Sequence, residues 1–204
     1  MGFVLYVHGK DGNAAEGTRF QPLFPDRAVV GAAYKGFTPQ EAGKEIRAAA
    51  EKLSGTDGGT VLIANSVGAF FCLHAGLNGL VRRAYFISPL VDMERLILDM
   101  MARANVAEAD LKARGTIRAD GGEDLSWPYL CYVREHPVDW RVPTRILYGG
   151  DDALIPFDTV EAFAKKHDAP LTVMAGGEHW FHTPEQLRFL DDWIARSESE
   201  GQER

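Results

Sequence analysis

Cysteine is scarce. The sequence of 204 residues has two, Cys72 and Cys131, enough for one disulfide and too few for a disulfide framework. Cys72 lies in the apolar run Ala69–Leu73, so the expectation is two reduced core thiols in a reducing compartment. An uninterrupted hydrophobic run is also lacking. The most apolar stretch, 61–81, is broken by Asn65, Ser66, Gly68, His74, Gly76, Asn78 and Gly79, whereas a membrane span needs about 20 predominantly apolar residues. Basic excess is absent too: 22 Lys+Arg against 29 Asp+Glu give a net charge of −7, a poor general partner for nucleic-acid backbones and anionic membranes. No basic region precedes Phe3–Val7, and Tyr6 stands where a myristoylation signal wants Ser or Thr. The expectation is a soluble cytoplasmic protein without a targeting segment. Internal repeats, zinc-finger spacing and both glycine-rich nucleotide motifs are missing as well.

What is present is ordinary globular material: 46% hydrophobic and 25% charged residues. The length suits one domain with a modest excursion. Short apolar runs read as strands at 3–7, 27–32, 60–64, 84–88, 144–148 and 171–175. Most are apolar throughout, as strands covered on both faces must be. Helical patterns separate them, at 39–53, 67–77, 159–166 and 184–196, two of them opened by Thr-Pro as N-cap and first helical residue. This alternation predicts an α/β fold with a parallel sheet and helices on both faces. It breaks once, across 89–143, which shows no convincing strand. Met93, Leu96, Ile97, Met100, Met101 and Ala104 share a helical stripe there, 110–114 and 127–133 read as short helices, and 115–124 reads as a polar loop. The segment is expected as a helical cap inserted in a single domain, and the tail 197–204 as frayed.

Four segments carry chemistry. Val61–Ala64 runs as a strand into Asn65-Ser66-Val67-Gly68 and then a helix. A tight strand-to-helix turn lifts the Ser66 hydroxyl above the sheet, needs small neighbours (Ala64 and Gly68), and aims the Val67 N–H at a developing oxyanion. The loop His8-Gly9-Lys10-Asp11-Gly12 follows the first strand and can supply a second N–H, from Lys10 or, next in order, Gly9; His8 is read as a brace for this loop. After the fifth strand, Asp151 and Asp152 compete to orient an imidazole, and the spacing Asp152-x-x-Ile155-Pro156 favours Asp152. After the sixth, Gly176-Gly177-Glu178-His179 lets His179 turn back as a general base, while His182 reads as a capping or surface residue. A metal reading of His179-x-x-His182 is weak, because no wider ligand set accompanies it.

Ser66, Asp152 and His179 thus stand in the chain order of the hydrolase triad, each after a different strand. With His8-Gly9, Ala64-x-Ser66-x-Gly68, Gly149-x-x-Asp152-x-x-x-Pro156 and Gly177-x-His179, the sequence resembles the α/β-hydrolase superfamily, except across 89–143. The resemblance implies a six-stranded sheet in spatial order 2-1-3-4-5-6 without the family's first hairpin. It implies a serine hydrolase of carboxylic esters or related acyl bonds that acts on a small molecule and needs no metal or other cofactor. A thioesterase, a small-amide or peptide hydrolase, and a non-catalytic binding protein on the same scaffold are the alternatives. Ala64 departs from the family's usual glycine, and Lys10 has no family counterpart. Trp127, Tyr129, Tyr132 and Trp140 are the candidates for an apolar acyl or aryl pocket.

Overall fold

The computed structural model describes residues 2–55, 59–118 and 124–200. They divide into two compact units: Met1–Val91 with Asp139–Arg204, and Asp92–Val138.

In the larger unit the strands are β1 (Gly2–Val7), β2 (Arg27–Gly31), β3 (Thr60–Asn65) and β4 (Arg83–Ile87). The smaller unit contributes β5 (Thr116–Arg118) and β6 (Asp124–Ser126), and the chain returns with β7 (Thr144–Gly149) and β8 (Leu171–Met174). Six of them form one sheet in the order β2-β1-β3-β4-β7-β8, parallel at every pairing. The order reads differently from the expected 2-1-3-4-5-6 only because β5 and β6 intervene along the chain and pair with each other instead.

Both faces of this sheet are covered, which explains why its strands lack polar alternation. Val4, Tyr6, Val61, Ile63, Tyr85, Ile87 and Leu147 pack on one face, against Phe20 and Phe24 and against Leu190, Trp193 and Ile194. The first two belong to a 3-10 segment, Ala14–Leu23, and its cap; the other three belong to α7 (Pro184–Glu200). The alternate residues Leu5, Leu62, Phe86 and Ile146 are fully buried on the opposite face. The remaining helices of this unit are α1 (Pro39–Leu53), α2 (Val67–His74) and α6 (Phe157–Lys166). Thr38 caps α1, its hydroxyl accepting from the Glu41 N–H, and Pro39 starts it. The 3-10 segment was not anticipated. Asn13 and Glu16 form a reciprocal capping box at its start, the one local signal that announces it.

The smaller unit holds α3 (Met93–Arg103), α4 (Glu108–Arg114), the hairpin β5–β6 and α5 (Trp127–Glu135). The hairpin corrects the expectation of a segment without strands. Its strands are three residues long, too short for a period of two to register, and residues 119–123 between them lie outside the described residues. Asp92 caps α3, its carboxylate accepting from the Arg95 N–H. Met93, Ile97 and Met101 are the buried stripe of α3; Leu96 and Met100 are only half-buried. Arg134 of α5 donates to Glu94 and, through two nitrogens, to Glu108, tying the three helices together.

Two further expectations need correction. The C-terminal tail is helical through Glu200: Ser197 is buried, Glu198 accepts from Tyr85 and Arg83, and Glu200 pairs with Arg145. The part of the tail beyond it, 201–204, lies outside the described residues. The cysteines are both free thiols, yet only Cys72 is a core residue; Cys131 is half-buried. No helix among the described residues is long and apolar enough to cross a membrane.

Candidate active site

β3 ends at Asn65, and α2 begins at Val67, leaving Ser66 alone to reverse the chain. Ser66 adopts φ 51°, ψ −124°, a left-handed conformation that costs an ordinary residue about 1–3 kcal/mol. The cost is offset by hydrogen bonds on both sides. The Ser66 N–H donates to Ile87 O, and its carbonyl accepts from the Ala69 and Leu90 N–H groups. The crowding expected at this turn is severe: a Cβ at Gly68 would lie 2.2 Å from His8 O. Only glycine lets α2 pass that close to the first loop. Val67 is the first residue of α2, so its N–H has no acceptor within the helix.

Ser66 and Asp152 leave the carboxyl ends of β3 and β7, with β4 between them. Two strand spacings amount to roughly 10 Å, too far for direct contact, and an imidazole fills the gap. His179 Nε2 lies 2.8 Å from Ser66 Oγ, and His179 Nδ1 lies 2.8 Å from Asp152 Oδ2. A carboxylate can only accept, so Nδ1 carries the proton and Nε2 presents its lone pair to the serine hydroxyl. The imidazole is 4% exposed and the Asp152 side chain 0%, so little water competes for either bond. The second carboxylate oxygen of Asp152 accepts from the Leu154 and Ile155 N–H groups, leaving no lone pair wanting on that side. Asp151 is exposed, and its backbone N–H donates to Gly177 O. Asp152, not Asp151, therefore faces the ring.

The loops that carry Asp152 and His179 are fixed to each other. The Gly150 N–H donates to Met174 O at 2.8 Å, and a Cβ at Gly149 would lie 2.6 Å from both Glu178 O and Gly177 O. Trp180 meets the His179 ring edge to face, with centroids 5.2 Å apart, and is 60% exposed. His182 is exposed, its ring bonded to Trp180 O and near Glu178. Gln186 and Thr183 form a reciprocal cap at the start of α7.

The loop after β1 is braced as well as close. The backbone at Gly9 passes Ser66 so nearly that a Cβ on Gly9 would lie 3.2 Å from Ser66 Cβ. His8 stacks on Tyr34 with centroids 4.2 Å apart, donates from Nδ1 to Gly9 O, and has its own carbonyl held by the Tyr34 hydroxyl. Lys10 follows in the turn that Gly12 N and Gly9 O close. Tyr34 was not singled out in the sequence; it sits in a loop with no motif, and only folding brings it to His8.

The pocket candidates fare differently. Trp140 is buried, donates from its ring nitrogen to Thr144 at the amino end of β7, and packs on Phe86. It is a core residue anchored at the end of the strand away from Asp152, which corrects its expected role. Trp127 opens α5 beneath Lys112, and Tyr129 and Tyr132 follow it on the same helix, all within the smaller unit. Among the described residues, no group of three or more His, Cys, Asp or Glu side chains could hold a metal ion.

No protein-family model matches the sequence, and no curated protein matches it. Solved structures do match. Est1E from Butyrivibrio proteoclasticus, also solved with ferulic acid bound, superposes with a TM-score of 0.77 at 17% identity, covering all of this chain and 89% of its own. Alpha/beta hydrolase domain-containing protein 10 from mouse gives 0.73 at 15% identity, over 97% of this chain and 90% of its own. E-2-(acetamidomethylene)succinate hydrolase gives 0.61 at 19% identity, over 95% and 91%. At such identities the likeness establishes a shared fold, and this chain has the α/β-hydrolase fold.

Proposed function

We propose that the protein is a serine hydrolase that cleaves a carboxylic ester or a related acyl bond of a dissolved small molecule. The reading rests on one observation: the unbroken chain from Ser66 Oγ through His179 to the buried Asp152 carboxylate, both links 2.8 Å. In the proposed cycle, His179 Nε2 takes the Ser66 proton as Oγ attacks the substrate carbonyl carbon. Asp152 holds the Nδ1–H tautomer and favours the imidazolium that forms. The N–H groups of Val67 and Lys10 receive the tetrahedral oxyanion, each such donor being worth about 2.7–4 kcal/mol of transition-state stabilisation. His179 then protonates the departing alcohol, thiol or amine as the carbonyl re-forms. Water, deprotonated by the same imidazole, releases the acid from the acyl-enzyme.

Thioesters and small amides fit the same three side chains, and a pure binding protein would have no need to keep all of them aligned. A fluorophosphonate probe is expected to add covalently to Ser66 and nowhere else. Ser66→Ala is expected to lose that labelling and to reduce p-nitrophenyl ester turnover by at least about 10³-fold, with the thermal midpoint nearly unchanged. Undiminished turnover in the variant would end the proposal. A panel of short and long acyl esters, methyl ferulate, thioesters and aminoacyl amides would then rank the acyl bonds.

A further inference from the structure

Trp180 touches the catalytic imidazole and solvent at once. Its ring meets the His179 ring with centroids 5.2 Å apart, yet 60% of the residue is exposed. Where the indole lies around the imidazole is limited by what already surrounds that ring. Asp152 occupies the Nδ1 edge at 2.8 Å, and Cγ carries the link to the main chain. A ring face and the two carbon edges that flank Nε2 are what remain. Each adjoins Nε2, the atom that delivers a proton to the departing oxygen. That oxygen lies about 3 Å from Nε2 when the proton moves, so the group it carries away stands about one ring's width from the indole. Trp180 is also held in place, since its carbonyl accepts from His182 Nδ1.

The neighbourhood is apolar. Leu154, whose N–H donates to Asp152, is 45% exposed. Trp180 lines a cavity of about 180 Å³ together with Ile87, Phe181 and Leu187. Asn65, the residue before Ser66, lines it too, and Ile87 O accepts from the Ser66 N–H. Neither Ser66 nor His179 lines the cavity, but chain neighbours of both do. The charged residues of its wall are engaged elsewhere: Glu16 accepts from Tyr6, and Arg19 donates to Asp191.

We propose that Trp180 is a specificity-determining residue that receives the leaving group, and that the substrates are esters of phenols. The inference rests on the serine-hydrolase reading and adds the identity of the departing half. An aryl group against the indole gains more than its buried area alone supplies, which an alkyl group does not. A charged leaving group would give up water beside Trp180 and Leu154 without gaining a partner. As the bond from the carbonyl carbon to the phenolic oxygen breaks, its electron pair stays on that oxygen, and Nε2 supplies the proton. The acyl half remains on Ser66 Oγ, so this contact acts on acylation and not on the hydrolysis that follows.

Two acetates that share an acyl group separate this role from that of a brace for His179. Phenyl acetate has an aryl leaving group, and 2,2,2-trifluoroethyl acetate a small one without a ring. The value of kcat/KM is measured on both for wild type, Trp180→Ala and Trp180→Phe. Trp180→Ala is expected to lower the ratio of phenyl to trifluoroethyl kcat/KM by about tenfold, the loss of one aromatic contact, and Trp180→Phe to restore most of it. An equal loss on both esters would make Trp180 a support for the imidazole, and an unchanged ratio would make it a plain surface residue. Either result overturns the proposal. Trp180 is mostly exposed, so both variants are expected to keep the wild-type far-UV dichroism, and Trp180→Phe decides the matter if Trp180→Ala does not. Failure of the hydrolase reading looks different: wild-type protein would then turn over neither acetate and take no fluorophosphonate.

Discussion

Asp151 and Asp152 are chemically identical neighbours, and only their surroundings separate them. Asp152 has a fully buried side chain that accepts from His179, Leu154 and Ile155, whereas Asp151 faces solvent. Replacing the Asp152 carboxylate by an amide puts a donor toward Nδ1 and favours the wrong imidazole tautomer. Asp152→Asn is therefore expected to lower kcat by up to about 10⁴-fold, and Asp151→Asn by less than about threefold, the scale of a surface substitution. Steady-state kinetics on both variants decides the matter, and the reverse ranking would reassign the acid. The spacing to Pro156 pointed to Asp152; burial and two backbone donors are the physical reason behind that spacing.

Among the elements, those whose signals are local could be read from the sequence. The start of α1 follows from Thr38-Pro39, and its buried stripe Ala42, Ile46, Ala50 repeats every four residues. Ile46 is fully buried, so Ile46→Ala is expected to cost about 2–5 kcal/mol, read as a lower urea midpoint with an unchanged m-value. A loss below about 1 kcal/mol would mean that α1 packs less tightly than its burial implies. The turn at Ser66 was legible for the same reason, since small residues on either side are a short-range requirement. The hairpin β5–β6 and the 3-10 segment were not. The first is too short for a periodic signal, and the second has a capping box but no amphipathic period to follow it.

For the molecule as a whole, alkaline pH is the informative stress. All six tyrosines have phenol pKa values raised above the ordinary one. Burial is the leading cause throughout. Tyr148 is pushed up to about 12 by burial first and then by the charges of Asp152 and Asp158. Unfolded, each phenol ionises near pH 10. Below that both states hold the proton and the contribution to stability is fully present. Above it the unfolded chain binds fewer protons, so stability falls as pH climbs toward the folded values. The denaturation midpoint should drop steeply above about pH 10, with tyrosinate absorbance rising together with loss of far-UV dichroism. Tyrosinate titrating near pH 10 in protein that keeps its dichroism would contradict the burial of these rings.

The sequence by itself determined the alternation of strand and helix, the parallel sheet covered on both faces, and the order Ser66, Asp152, His179. Each follows from forces acting over a few residues: pleat, helical period, capping, and the crowding of a tight turn. Only the tertiary structure decided that the imidazole bridges strands two places apart, that Tyr34 braces His8, that Trp140 belongs to the core, and that Tyr6, Glu16, Arg19 and Asn65 enclose one pocket. Those meetings join residues far apart along the chain. They are set by how the strands are laid side by side, which no short stretch of sequence encodes.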